Sequence, residues 1–159
     1  MLVLLVRHGH AGTKRHWRGA DSLRPLNREG WAEAEALGVL LAAYAPSRIV
    51  SSPFLRCLES VTPLGHAIGI DVESSSSLVP DAGSAAASFL LGLGGGEPGT
   101  VVVCTHGEVI HDLQSSLGNT DLPSFGPEAP REKASVWLLD LQDGRFVSAT
   151  YLPPPSAEH

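Results

Sequence analysis

The sequence predicts an α/β protein, a three-layer α/β/α sandwich whose sheet is mixed but mostly parallel. Three observations carry the prediction. Short apolar runs alternate with stretches of helical spacing along the chain. Two of these runs, Leu2-Val3-Leu4-Leu5-Val6 and Val101-Val102-Val103-Cys104, are unbroken, as strands buried on both faces are. Near the end, two strand-like segments, 135–141 and 145–151, flank the turn sequence Gln142-Asp143-Gly144. They read as a closing hairpin, which brings an antiparallel strand into the sheet.

In chain order, residues 2–7 form the first strand, and a polar loop rich in Gly, Arg and His runs from His8 to about Leu26. Asn27 caps a helix reaching about Tyr44, whose buried stripe is Leu37, Leu40, Leu41 and Tyr44 at i, i+3, i+4 and i+7. Residues 48–51 are a second strand. Ser52-Pro53 reads as an N-cap followed by proline at the first helical position, and the helix it opens is expected to kink or break near Pro63. Residues 70–73 are a third strand, 74–77 a solvated serine loop and 85–91 a short helix. The cluster Gly94-Gly95-Gly96-Glu97-Pro98-Gly99 is a turn, without the Lys-Ser/Thr ending of a P-loop. After the strand at 101–104, a helix runs from about Glu108 to Leu117, and a proline-rich loop spans 123–130.

Bulk composition narrows the function. At 159 residues the chain is expected to form a single domain over 1–152, with a disordered tail at 153–159. Hydrophobic residues at 43% against 18% charged support a packed core. Acidic side chains outnumber basic ones 17 to 11, for a net charge of −6, the reverse of a nucleic-acid wrapper. No apolar run reaches membrane-spanning length, and the opening run lacks the basic start and cleavage site of a secretory signal. Cys57 and Cys104 form no C-x-x-C pair and read as reduced core thiols. The expectation is a cytoplasmic monomer with no nucleic-acid or membrane partner.

Three strands end alike. The first runs into Arg7-His8-Gly9, the second into Ser51-Ser52 with Arg56 one turn into the next helix, and the third into Thr105-His106-Gly107. In open α/β sheets, ligands bind beyond the carboxyl ends of the strands. If the strands are neighbours, Arg7, His8, Arg56 and His106 converge, and two guanidiniums with two imidazoles suit a phosphoryl group. Taken singly, each residue has an ordinary alternative, a solvated arginine or a hydrogen-bonded structural histidine. Their coincidence at three strand ends is what points to one pocket.

These segments resemble the histidine phosphatase superfamily, also called phosphoglycerate mutase-like. Leu5-Val6-Arg7-His8-Gly9 is similar to its R-H-G signature, and Ser51-Ser52-Pro53-Phe54-Leu55-Arg56-Cys57 to its S-S-x-x-x-R-[AC] stretch. Thr105-His106-Gly107-Glu108-Val109-Ile110 resembles its second histidine motif, and Pro25-Leu26-Asn27-Arg28-Glu29-Gly30 its P-L-x-x-x-G helix entry. R-H-G alone is weak; the four together, in the family's order, are specific. The short length resembles the small branch that includes bacterial phosphohistidine phosphatases. The loop Arg18-Gly19-Ala20-Asp21 and the ending from Lys133 look like the phosphatase domain fused to some Nudix hydrolases.

The resemblance implies a metal-independent phosphatase with no cofactor. His8 would accept the phosphoryl group and pass it to water, with Arg7, Arg56 and His106 steadying the transferred oxygens. The substrate would be a phosphohistidine protein or a small phosphate ester or nucleotide. Where many members carry a catalytic glutamate, this chain reads Leu78-Val79-Pro80-Asp81, making Asp81 the candidate acid and arguing against mutase activity. Glu108 reads as a helix N-terminal carboxylate. Lys14, Arg15, His16 and Arg18 read either as a solvated basic loop or as contacts for a second phosphate or an acidic surface, and Lys133, before the hairpin, as able to reach the pocket. Two rivals remain: a metal hydrolase using the His8-Gly9-His10 spacing, which has no carboxylate in the residues that follow, and a phospho-ligand binding module without turnover.

Overall fold

The computed structural model describes residues 1–117 and 122–156. The strands are β1 (Leu2–Arg7), β2 (Arg48–Ser51), β3 (Val72–Ser74), β4 (Thr100–Thr105), β5 (Val136–Gln142) and β6 (Arg145–Leu152). Among the described residues the α-helices are α1 (Arg28–Ala42), α2 (Leu55–Ile68), α3 (Ala85–Gly92) and α4 (Gly107–Leu117). Among the described residues the strands form one six-stranded sheet in the order β3-β2-β4-β1-β5-β6. From β3 to β1 the pairs are parallel; β5 joins β1 antiparallel, and β6 folds back on β5. Asp143 and Gly144, at the tip of that hairpin, both have left-handed φ, 51° and 77°, as a two-residue turn matched to strand twist requires.

Alternation along the strands sorts the core into two layers. Leu4, Val6, Ile49, Val102 and Cys104 face Leu37 and Leu41 of α1 and Cys57, Val61 and Leu64 of α2. Val3, Leu5, Val50, Val101 and Val103 face Leu90 of α3 and Val109, Ile110 and Leu113 of α4. β1 and β4 are thus covered on both sides, which is why they read as unbroken apolar runs. The three-layer, mixed-sheet expectation holds.

Local differences have physical causes. Asn27 does cap α1, its side chain accepting from the Gly30 N–H at 2.9 Å, but the helix ends at Ala42 and leaves Tyr44 in the following turn. Ser52-Pro53 does not open α2. The helix is capped at Phe54; the Ser52 hydroxyl lies two residues earlier, 2.8 Å from His106 Nε2, and accepts from the Phe54 N–H at 3.3 Å. Nor does Pro63 break it. α2 continues through Pro63 to Ile68, held by the flanking Val61 and Leu64, which are buried against the sheet. β3 begins two residues later than expected, and Ser74 belongs to it. The loop after β1 holds two short 3₁₀ turns, Lys14–His16 and Asp21–Leu23. Pro155 and Ser156 line a groove along α1 with Ala36 and Val39; residues 157–159 lie outside the described residues. No described helix is long and apolar enough to cross a membrane.

Candidate active site

Strand register brings the motifs to one edge. Arg7 pairs with Thr105 across β1 and β4, and Ser51 with Cys104 across β2 and β4. The next residues, His8, Ser52 and His106, therefore leave the sheet side by side. The backbone continues the ladder one step, His8 N–H donating to the Thr105 carbonyl at 3.1 Å and Ser52 N–H to that of Cys104 at 2.9 Å.

His8 is 6% exposed. Its Nδ1–H donates to the Gly9 carbonyl at 2.7 Å. A carbonyl can only accept, so this bond puts the ring proton on Nδ1 and leaves the Nε2 lone pair free. Burial lowers the His8 pKa to about 3 against the Gly9 bond, with the charges of Arg56, Arg7 and Lys133 adding to the fall. The ring is neutral at any ordinary pH.

His106 is fully buried behind it. The two rings meet edge to face at 5.4 Å between centroids, and Phe54 packs against the other side of His106 at 4.9 Å. The Ser52 hydroxyl and the Cys57 sulfur lie 2.8 and 3.5 Å from its Nε2. Burial, then the charges of His8 and Arg56, lowers the His106 pKa to about 3, against the opposing charge of Asp21.

The two arginines are tethered from behind. Arg56, 4% exposed, donates from Nη1 to the Asp21 carbonyl at 2.9 Å and from Nη2 to the Asp21 carboxylate at 3.1 Å. Arg7 Nη1 donates to the Arg131 carbonyl at 2.8 Å. Among the described residues, the buried side-chain polar atoms without a partner are the Nε–H groups of these same arginines. Unpartnered buried donors are costly and rare, and both of these lie on residues that line one cavity.

Arg7, His8, Arg56 and Lys133 line a cavity of about 320 Å³ together with Lys14, Asp21, Arg24 and Glu108. Burial pushes the Asp21 carboxyl up, but the hydrogen bond from Arg24 and the charge of Arg56 outweigh it and hold the group below its usual value. Of the residues the sequence nominated, Arg7, His8, Arg56, Lys14 and Lys133 line this cavity and His106 stands directly behind it. Asp81 and Arg18 are exposed and outside its lining. His10 turns to Glu33 of α1, with Nδ1 2.9 Å from the carboxylate, and does not share a site with His8.

The sequence reading missed three supports. Asp21 anchors Arg56. Arg24 binds Asp21 and the Ala11 carbonyl. Ser60 accepts from the Gly9 N–H at 2.9 Å while donating to the Arg56 carbonyl at 2.7 Å, tying the two motifs together. A signal existed for the first: Asp21 is the only acidic residue between Arg7 and Glu29.

Residues 3–80 match the family model of the histidine phosphatase superfamily (branch 1). An 8-oxo-(d)GTP phosphatase of Mycolicibacterium smegmatis is 35% identical over 158 residues, covering 96% of this chain and 48% of that protein. The chain therefore spans about half the length of that curated relative. Among solved structures, the protein histidine phosphatase SixA complexed with tungstate superposes with a TM-score of 0.78 at 22% identity, covering 99% of this chain and 97% of that one. A protein from Agrobacterium tumefaciens assigned as the phosphohistidine phosphatase SixA gives 0.72 at 27% identity, covering 96% and 97%. A mycobacterial glucosyl-3-phosphoglycerate phosphatase complexed with VO3 gives 0.76 at 18%, covering 94% and 96%. That family's own pattern thus covers the part of the chain that holds Arg7, His8 and Arg56, and the fold of nearly the whole chain is shared with the solved SixA structures.

Proposed function

We propose that the protein is a metal-independent phosphatase that passes a phosphoryl group to His8 and then to water. The observation that carries this reading is the His8 ring itself, its Nδ1–H held by the Gly9 carbonyl, beside two arginines whose buried Nε–H groups have no partner. The Nε2 lone pair attacks phosphorus. A P–N bond forms as the bond to the leaving group breaks, and the leaving group takes up a proton. Water then attacks the phosphohistidine, the P–N bond breaks, phosphate leaves, and His8 returns neutral. Splitting one displacement into two lowers each barrier. Arg7, Arg56 and Lys133 supply the charge that steadies the transferred oxygens, and His106 holds the His8 ring edge-on.

The proton for the leaving group is best assigned to Glu108. Asp81 lies outside the cavity lining, and Asp21 is committed to Arg24 and Arg56. Glu108, the other carboxylate of the lining, is exposed at the start of α4. The substrate class is a phosphohistidine side chain, a small phosphate ester or a nucleotide. Relatives named for the first and last, SixA and the 8-oxo-(d)GTP phosphatase, support keeping both in view.

The test is phosphate release by wild type and His8→Ala on a phosphohistidine peptide, nucleoside phosphates and an aryl phosphate, with EDTA throughout. Turnover that needs His8 and ignores EDTA is the expected result. Tight vanadate binding by a folded protein that turns over none of these would replace the enzyme reading with a phospho-ligand binding module.

A further inference from the structure

A second cleft opens beside the phosphoryl cavity, and the mechanism above gives it no work. It measures about 260 Å³ and is lined by His16, Trp17, Pro25, Leu26 and Asn27. Ala11, Gly12, Thr13 and Arg24 line both spaces, so the two are neighbours across one shared wall. Their walls differ in kind. The phosphoryl cavity is walled by guanidiniums, two lysines and carboxylates; the cleft sets an indole, a proline and a leucine beside Arg24. Together they reach the size range, about 300–1,000 Å³, of sites that enclose a small molecule.

Trp17 is the unusual member. It is a large aromatic side chain, 37% exposed, between Arg15-His16 and Arg18. Its indole is nevertheless fixed. Nε1–H donates to the Ala20 carbonyl at 2.8 Å, and Gly19 backs the ring so closely that a Cβ there would come within 3.2 Å of Nε1 and Cζ2. A held, half-exposed aromatic wall is a stacking surface. Arg24 stands at the junction, its Nε on Asp21 at 3.1 Å and its Nη1 on the Ala11 carbonyl at 2.9 Å. A cation is thereby fixed on the lining that the phosphoryl cavity and the cleft share.

We propose that this cleft is the leaving-group subsite and that it takes the base of a nucleoside diphosphate, with the inner phosphate at Arg24 and the terminal phosphoryl at His8. The proposal rests on the phosphatase reading of His8 and narrows it to one substrate class. The terminal P–O bond breaks as the P–N bond to His8 forms, and a nucleoside monophosphate departs. Water then releases inorganic phosphate. A departing phosphate is already a stable anion, so this substrate makes little demand on an acid. That suits a site whose candidate acid, Glu108, is solvent-exposed.

The test compares kcat/KM for a purine nucleoside diphosphate with that for pyrophosphate, which offers the same kind of bond and no base. Wild type is expected to favour the nucleotide about tenfold to a hundredfold, the range aromatic stacking gives. Trp17→Ala is expected to collapse that ratio toward one, and Trp17→Phe to restore most of it. An unchanged ratio in Trp17→Ala overturns the subsite. So does a phosphohistidine peptide turned over faster than the nucleotide and indifferent to Trp17. A parallel arm separates the two levels. Quenching of Trp17 fluorescence by the nucleotide in a His8→Ala protein, if the wild type releases no phosphate, keeps the subsite and removes the phosphatase reading. Release that needs His8 with no Trp17 dependence does the opposite.

Discussion

The floor and the rim of this site are built by opposite rules. On the floor, His106 is 0% and Arg56 4% exposed, and each polar group hangs from strand register or a buried tether. On the rim, every residue from Gly12 to Ala20 is exposed, and Lys14, Trp17 and Arg24 sit in or directly after two short turns. The sheet fixes the floor, so what it does is one reaction. The rim is tied to the floor where Asp21 holds Arg56; its exposed residues from Gly12 to Ala20 are the part that, under the proposed function, can vary with the substrate.

Substitutions should divide along that line, floor changes falling on kcat and rim changes on KM. The largest effect expected is at His8, where alanine removes the atom that bonds phosphorus; phosphate release should drop to background in a protein whose circular dichroism is unchanged. Arg56→Ala removes a preorganised donor and should lower kcat about a hundredfold to a thousandfold, measured by steady-state phosphate release. A loss confined to KM would move Arg56 from the floor to the rim.

Acid should reach the floor first. His8 and His106 titrate near 3 in the folded protein against about 6.5 when unfolded. Between those values the unfolded chain binds protons that the folded chain refuses, so stability is full above about pH 6.5 and falls as pH drops toward 3. Each group contributes at most about 1.4 kcal/mol per pH unit, tenfold in the folding equilibrium. Urea midpoints followed from neutral pH downward should fall, and His106→Asn should flatten that fall; a flat wild-type profile would contradict the two low values. The smallest effect belongs to the rim. Lys14→Ala should raise KM a few-fold at low salt, and the difference should vanish in high salt, because the ammonium is exposed and screened.

The same division explains what the sequence disclosed. β1, β2, β4 and the closing hairpin were legible because burial on both faces, or a turn of fixed chemistry, leaves few residue choices. The floor was legible because its residues follow those strands at once. Arg56 was placed by its motif, but its anchor Asp21 was not, since the tether spans a loop whose path no periodicity predicts. Ser52 misled for a related reason. Ser-Pro at a strand end has the pattern of a helix cap, yet the hydroxyl serves His106, a partner 54 positions away in sequence. Asp81 was inferred from a family position that this chain fills with proline, and the backbone leaves the carboxylate in solvent.

The central claim is that His8 itself carries the phosphoryl group. Rapid acid-free quenching of the enzyme with a ³²P-labelled substrate tests it most directly. The account predicts a transient adduct on His8, stable to base and labile to acid, formed no slower than phosphate is released and missing in His8→Asn. Release of phosphate by wild type with no adduct at His8, or with the label on another residue, would contradict it.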